Sequence, residues 1–195
     1  QKFRFNWNAP IFASPHNPST IYHAGNVLFK TNDGGNSWDV ISPDLTKNDK
    51  LKHELGSVPF TNEAAGGEVY NTIMYAAESK HEAGTIWVGS DDGLIHITRD
   101  GGTNWKNITP RSMDEGMVNS IEISPHNPGT AYASFTKYKF GDIAPYIYKT
   151  NNYGKTWTQK TTGIPKNTFV RVVREDLIQK DLLYAGTETG LYLST

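Results

Sequence analysis

The chain has 195 residues, with 19 lysines and arginines against 20 aspartates and glutamates, for a formal charge of −1. That balance supplies no field of one sign to gather nucleic acid or anionic lipid, and no apolar run is long enough to cross a bilayer as a helix. Cysteine is absent, which excludes disulfides, thiolate metal sites and thiol catalysis. The 18 glycines, ten prolines and 12% aromatic residues instead indicate many short strands joined by tight turns. Gln1 opens the sequence and no signal-like apolar segment follows it. The numbering is therefore expected to start inside a longer gene product, with any targeting information cut away.

In chain order, the first unit predicts strands near Ile11–Ser14, Thr20–Ala24, Val27–Thr31 and Trp38–Ser42. The second predicts Thr72–Ala77, Thr85–Gly89, Leu94–Thr98 and Trp105–Thr109, and the third Ser120–Ser124, Thr130–Phe135, Tyr146–Thr150 and Trp157–Lys160. A fourth unit runs through Phe169–Val173, Leu183–Gly186 and Leu191–Ser194 and stops where its next turn should begin. The units span approximately residues 9–42, 69–109, 118–161 and 168–195. No helical periodicity competes with these strands.

Between the third and fourth strands of each full unit stands the same phrase. It reads Thr31-Asn-Asp33-Gly-Gly35-Asn-Ser37-Trp38, then Thr98-Arg-Asp100-Gly-Gly102-Thr-Asn104-Trp105, then Thr150-Asn-Asn152-Tyr-Gly154-Lys-Thr156-Trp157. Asp or Asn can accept bonds from nearby backbone N–H groups. The glycine provides a position suited to positive φ, and the tryptophan packs its ring on the hairpin. This is the chemistry of a structural staple, and it lacks the ligand spacing of a calcium loop. A second phrase also recurs, Ser14-Pro-His-Asn-Pro-Ser-Thr and Ser124-Pro-His-Asn-Pro-Gly-Thr, as the turn between the first two strands. The recurrence of His16 and His126 there reflects turn structure rather than metal binding, and the adjacent pairs His53–Glu54 and His81–Glu82 lack metal-ligand spacing.

Four-stranded units of about 40–50 residues are the signature of propeller blades, of which a ring typically has about 4–8. The expected fold is all-β: a partial β-propeller of about three and a half four-stranded blades, an open arc from a larger propeller.

The repeated turn resembles the Asp-box, or bacterial neuraminidase repeat, of sialidases, xyloglucanase-type glycoside hydrolases and sortilin-type receptors. The chain is most similar to bacterial secreted sortilin-like or "glycosyl hydrolase" repeat proteins. The phrases carrying that likeness are Phe5-Asn-Trp-Asn-Ala-Pro-Ile11, Ile41-Ser-Pro-Asp-Leu-Thr46, Gly89-Ser-Asp-Asp-Gly-Leu94, Pro145-Tyr-Ile-Tyr-Lys-Thr150 and Val170-Arg-Val-Val-Arg-Glu-Asp176. The resemblance implies a larger protein that is secreted, periplasmic or on the cell surface, with this segment inside its propeller. It also implies that the Asp-box turns lie on the face away from the usual propeller ligand site.

The opposite face receives the segments 43–71, 89–93, 110–118, 136–145 and 186–190, and long loops in compact domains are often functional. A glycosidase needs two carboxyl groups about 5–10 Å apart. The acids available there are Glu63, Glu68, Asp91, Asp92, Asp142 and Glu188, and nothing in the sequence singles out a pair. A sialidase would need a triad of arginines on the substrate carboxylate, and Arg4, Arg99, Arg111, Arg171 and Arg174 show no such recurrence. Lys137, Tyr138 and Lys139, with Phe140, mix charge and aromatics as a ligand-stacking loop would. No metal or cofactor is expected. The favoured function is a non-catalytic binding segment that holds a protein, peptide or glycan on its loop face, with the remaining blades of the parent protein as partners. A glycoside hydrolase is the alternative.

Overall fold

The computed structural model describes residues 3–53 and 69–194. They form fifteen strands in four antiparallel sheets. The first sheet comprises β1 (Ile11–Ala13), β2 (Ile21–Ala24), β3 (Leu28–Thr31) and β4 (Asp39–Val40). The second comprises β5 (Ile73–Glu78), β6 (Ile86–Ser90), β7 (Ile95–Thr98) and β8 (Lys106–Asn107). The third comprises β9 (Met117–Ile123), β10 (Ala131–Lys137), β11 (Asp142–Thr150) and β12 (Thr158–Gln159). The fourth has three strands, β13 (Val170–Glu175), β14 (Leu183–Thr187) and β15 (Leu191–Ser194). Each sheet is a simple meander in chain order. These are the blades of a partial β-propeller, the all-β fold that the repeats predict.

Two features differ from the sequence expectation. The outermost strands β4, β8 and β12 shrink to two residues each, because the turns ahead of them consume the rest in side-chain bonds. The segment 136–145, expected as a loop, is mostly hairpin: β10 runs on to Lys137, a single 3-10 turn covers Tyr138–Phe140, and β11 starts at Asp142.

The core lies between consecutive sheets. Trp87, Ile95, Val118, Ile121, Ala133 and Phe135 are buried between the second and third, while Tyr22, Leu28, Ile73 and Val88 are buried between the first and second. A blade is apolar on both faces, so it buries them only by stacking on its neighbours. Polar bonds fix the stacking. Nε2 of His16 donates to the Ser79 carbonyl at 2.7 Å, His81 to Ser124 at 3.0 Å, and His126 to Asp176 at 2.8 Å. Each bond ties one blade's first turn to the same turn of the next. In the opposite direction, the indole N–H of Trp105 donates to the Ile41 carbonyl (2.9 Å), and that of Trp157 to the Ile108 carbonyl (2.6 Å).

The repeated turns are knit as follows. Asp33 accepts from the Thr31 hydroxyl (2.7 Å), the Ser37 N–H (2.9 Å) and the Ser37 hydroxyl (2.6 Å). Asp100 does the same with Thr98 and Asn104, while Asn152 bonds Thr150 and Thr156. The second glycine of the phrase needs its freedom: at Gly102, φ is +102°, and a Cβ would lie 2.5 Å from the Ile41 carbonyl oxygen. The position before it is also left-handed, which the sequence pattern does not reveal. In the third turn Tyr153 holds φ at +56°, with its hydroxyl on Glu82 (2.9 Å) and its ring under the Arg99 guanidinium at 3.8 Å.

Candidate functional site

The meander order sends the connections after the second and fourth strands of every blade to one face, and the repeated turns to the other. On the first face a cleft of about 260 Å³ opens where the innermost strands begin. Every blade contributes: Asn6 and Asn8 stand ahead of β1, Met74 lies on β5, Met117 on β9 and Arg171 on β13. Met74 and Arg171 are the extra residues of β-bulges, since Ile73 and Tyr75 pair with adjacent residues Ser90 and Gly89, and Val170 and Val172 pair with Thr187 and Gly186. A bulge re-aims a side chain, and here both line the cleft. The remaining wall is Tyr70, Asp91, Thr136, Tyr138, Lys139 and Phe140.

One side of the cleft is a stack. The rings of Tyr138 and Phe169 lie parallel at 5.2 Å, and the Arg171 guanidinium sits 5.0 Å and 4.9 Å from their centroids. Glu188 anchors Arg171 at 2.5 Å. On another side, the buried Tyr70 donates to Glu115 (2.8 Å), which also pairs with Lys52 at 2.5 Å. Burial and the Glu115 carboxylate push the Tyr70 phenol well above its usual range.

Asp91 is the acidic group of this wall. It is only 7% exposed and accepts the Thr72 N–H at 2.9 Å and the Thr72 hydroxyl at 3.0 Å. Burial, and then the neighbouring charge of Asp92, push its pKa up to about 8 against those two bonds. A group with that value is largely protonated at neutral pH and can donate as well as accept.

The other candidate acids stand elsewhere. Asp92, fully buried, is a clasp between loops: it accepts from the Lys47 N–H (2.8 Å), the Asn71 amide (2.6 Å) and the Ser90 hydroxyl (2.5 Å). Asp142 accepts from the Tyr146 hydroxyl (2.6 Å) and the Ala144 N–H (3.0 Å) at the start of β11. Glu188 is committed to Arg171. Glu63 and Glu68 lie outside the described residues. Of the basic-aromatic loop, Tyr138 and Lys139 reach the cleft, whereas Lys137 turns to Asp114 at 2.9 Å.

Arg4, Arg99 and Arg174 disperse to Asp44 (2.7 Å), Glu82 (3.4 Å) and Glu122 (3.5 Å), so they do not join Arg171 as a carboxylate clamp. The sequence brings Arg171 forward only among arginines that form no triad, and it does not single out Tyr70, Asn6 or Asn8. Their shared position, at or just before the start of an inner strand, was the available signal. Among the described residues, no group of three or more His, Cys, Asp or Glu is placed to hold a metal.

No protein-family model and no curated protein matches this chain. Solved structures do. An ancestral GH74 enzyme aligns over all of the chain at 16% identity with a TM-score of 0.65. YCF48 bound to the D1 peptide aligns over 98% of it at 15% identity with a TM-score of 0.54. A protein of the COPII outer coat vertex on membranes aligns over 89% at 14% identity with a TM-score of 0.55. The chain spans 23%, 50% and 42% of those chains, respectively. At such identities the likeness establishes fold alone, and the fold is that of a β-propeller.

Proposed function

We propose that this chain is a binding segment of a larger Asp-box propeller, and that its ligand sits in the loop-face cleft walled by Tyr138, Arg171 and Asp91. The observation that carries this reading is the Tyr138–Phe169–Arg171 stack at the rim of a cleft to which all four blades contribute. Such a flat amphipathic surface beside convergent polar groups suits the edge of a peptide or the face of a sugar ring. YCF48, a neighbour of the same fold, is bound to the D1 peptide, and another neighbour belongs to the COPII outer coat vertex, which supports a protein or peptide ligand. The Asp-box phrases support a parent protein of the bacterial sortilin-like group, secreted or at the cell surface, whose further blades continue the arc.

A second reading is favoured by Asp91, a protonated carboxyl facing a cleft in a fold shared with a GH74 enzyme. In it, Asp91 would be the general acid of a glycoside hydrolase.

Screening the chain against peptide and oligosaccharide arrays tests both. Binding that falls at least tenfold in Tyr138→Ala and Arg171→Ala, with thermal unfolding unchanged, supports the binding site. Binding indifferent to both substitutions sinks it. Release of reducing sugar that vanishes in Asp91→Asn would establish the hydrolase instead.

A further inference from the structure

The two joints inside the arc are built alike, which makes the third informative. Between the first and second blades, Trp105 bonds the Ile41 carbonyl and packs against the cluster around Tyr22. Between the second and third, Trp157 bonds the Ile108 carbonyl and meets Trp87 edge-on, ring centroids 6.4 Å apart. The accepting residues are equivalent, because Ile41 donates its own N–H to Leu28 and Ile108 to Ile95, the first residues of β3 and β7.

The same register can be followed into the joint between the third and fourth blades. Lys160 donates its N–H to Ile147, so its carbonyl takes the place of those of Ile41 and Ile108. Tyr132 takes the place of Tyr22 and Trp87, one residue after those that pair with the strand-end threonines. The histidine half of this joint is made, by His126 on Asp176. On the tryptophan side lies instead a groove of about 460 Å³, lined by Tyr132, Ile147, Lys160, Val173, Ala185 and Tyr192 among others, and none of the chain's five tryptophans lines it. The groove runs beside β15, the outermost strand of its sheet among the described residues, where Leu191 and Leu193 are 63% and 60% exposed. Ser194 pairs with Leu183 as Thr150 pairs with Ala131, so it stands at the first position of the repeated turn.

We propose that this groove seats an outer β-strand headed by a tryptophan, supplied by the longer parent polypeptide. Its indole lies against Tyr132 and donates to the Lys160 carbonyl, and its backbone pairs antiparallel with β15. The ammonium of Lys149, now 5.2 Å from the Tyr132 ring centroid, then also faces the indole, a favourable cation–π arrangement. The proposal deepens the reading that further parts of a parent protein continue the arc, and it is independent of what the loop-face cleft holds.

The test copies residues 100–108 (Asp-Gly-Gly-Thr-Asn-Trp-Lys-Asn-Ile) directly after Thr195, which continues the turn in frame from Ser194. A second version carries Ala in place of the appended tryptophan. The tryptophan version is expected to melt about 4 °C or more above the parent chain and to show a sixth indole N–H resonance with slow hydrogen exchange. The alanine version is expected to lose most of that gain. Equal melting of the two versions, or no rise in either, overturns the proposal. Neither result bears on the loop-face reading, which is measured by ligand titration.

Discussion

Nε2 of His16 lies 2.7 Å from the carbonyl oxygen of Ser79, which belongs to the first turn of the next blade. A carbonyl only accepts, so Nε2 carries the proton of this bond. The series continues through His81 and His126 and ends at Ile178, which takes the corresponding place two residues after Asp176 and is 93% exposed. Removing one such bond should cost about 1 kcal/mol. His81→Ala or His126→Ala is therefore expected to lower the melting temperature by about 2–4 °C, whereas Ile178→Ala should leave it unchanged. Thermal unfolding of the three variants side by side checks this, and equal effects would show that the histidines merely shape their turns.

Three tryptophans share one place in the repeat and differ in burial. Trp105 and Trp157 are half-buried in joints, while Trp38 is 39% exposed and its indole N–H donates within its own turn, to Gly35 at 3.1 Å. Trp105→Ala should cost about 2–3 kcal/mol, below the cost of a fully buried aromatic. Trp38→Ala should cost about 1 kcal/mol or less. Urea midpoints with unchanged slopes would rank them, and a Trp38 variant as damaged as Trp105 would contradict the joint geometry.

The turn carboxylates predict an acid limb. Hydrogen bonds from the Ser37 hydroxyl and N–H and from Thr31 hold Asp33 far below its ordinary value of 3.8. Bonds from the Asn104 side chain and N–H and from Thr98 lower Asp100 likewise. Groups with depressed folded pKa values contribute stability present above their unfolded value and lost as pH falls through the folded one. Stability is therefore expected to drop as pH falls below about 4. Asn152, in the same place of the third turn, does not titrate. Asp33→Asn and Asp100→Asn should copy it and flatten the limb, measurable as a shallower fall in melting temperature between pH 4 and pH 2.

Asp91 behaves oppositely. Its folded pKa of about 8 exceeds its ordinary value of 3.8, so its contribution is complete below the unfolded value and declines as pH rises towards 8. In Asp91→Asn, the side-chain oxygen still accepts the Thr72 N–H while the amide donates to the Thr72 hydroxyl. The variant should gain melting temperature relative to the parent at pH 8 and show no comparable gain at pH 4. A gain of equal size at both would show that Asp91 does not titrate in this window.

Much of this protein was legible as sequence because its repeats are written in local chemistry. Alternation of apolar residues marks strands, and an Asp or Asn followed two residues later by glycine marks a turn whose bonds span no more than four residues. Residues such as Thr31, Asp33 and Ser37 meet one another whatever the rest of the chain does, so their roles follow from spacing. The middle histidine of the series was less visible, because Ser79-Lys-His81-Glu has lysine where the other two turns have proline.

Packing decided the rest. The sequence offers Asp91 and Asp92 as equals, yet Asp91 faces the cleft while Asp92 clasps Lys47, Asn71 and Ser90. Lys137 and Lys139 flank the same tyrosine, and only Lys139 lines the cleft. Arg171 reaches it through a bulge whose extra residue appears only when β13 pairs with β14. In each case the deciding partner is distant in sequence, and what fixes it is which faces of neighbouring sheets exclude water together. Local pattern sets the strands and turns of this chain, whereas the stacking of blades determines which side chains face a ligand and which hold the arc together.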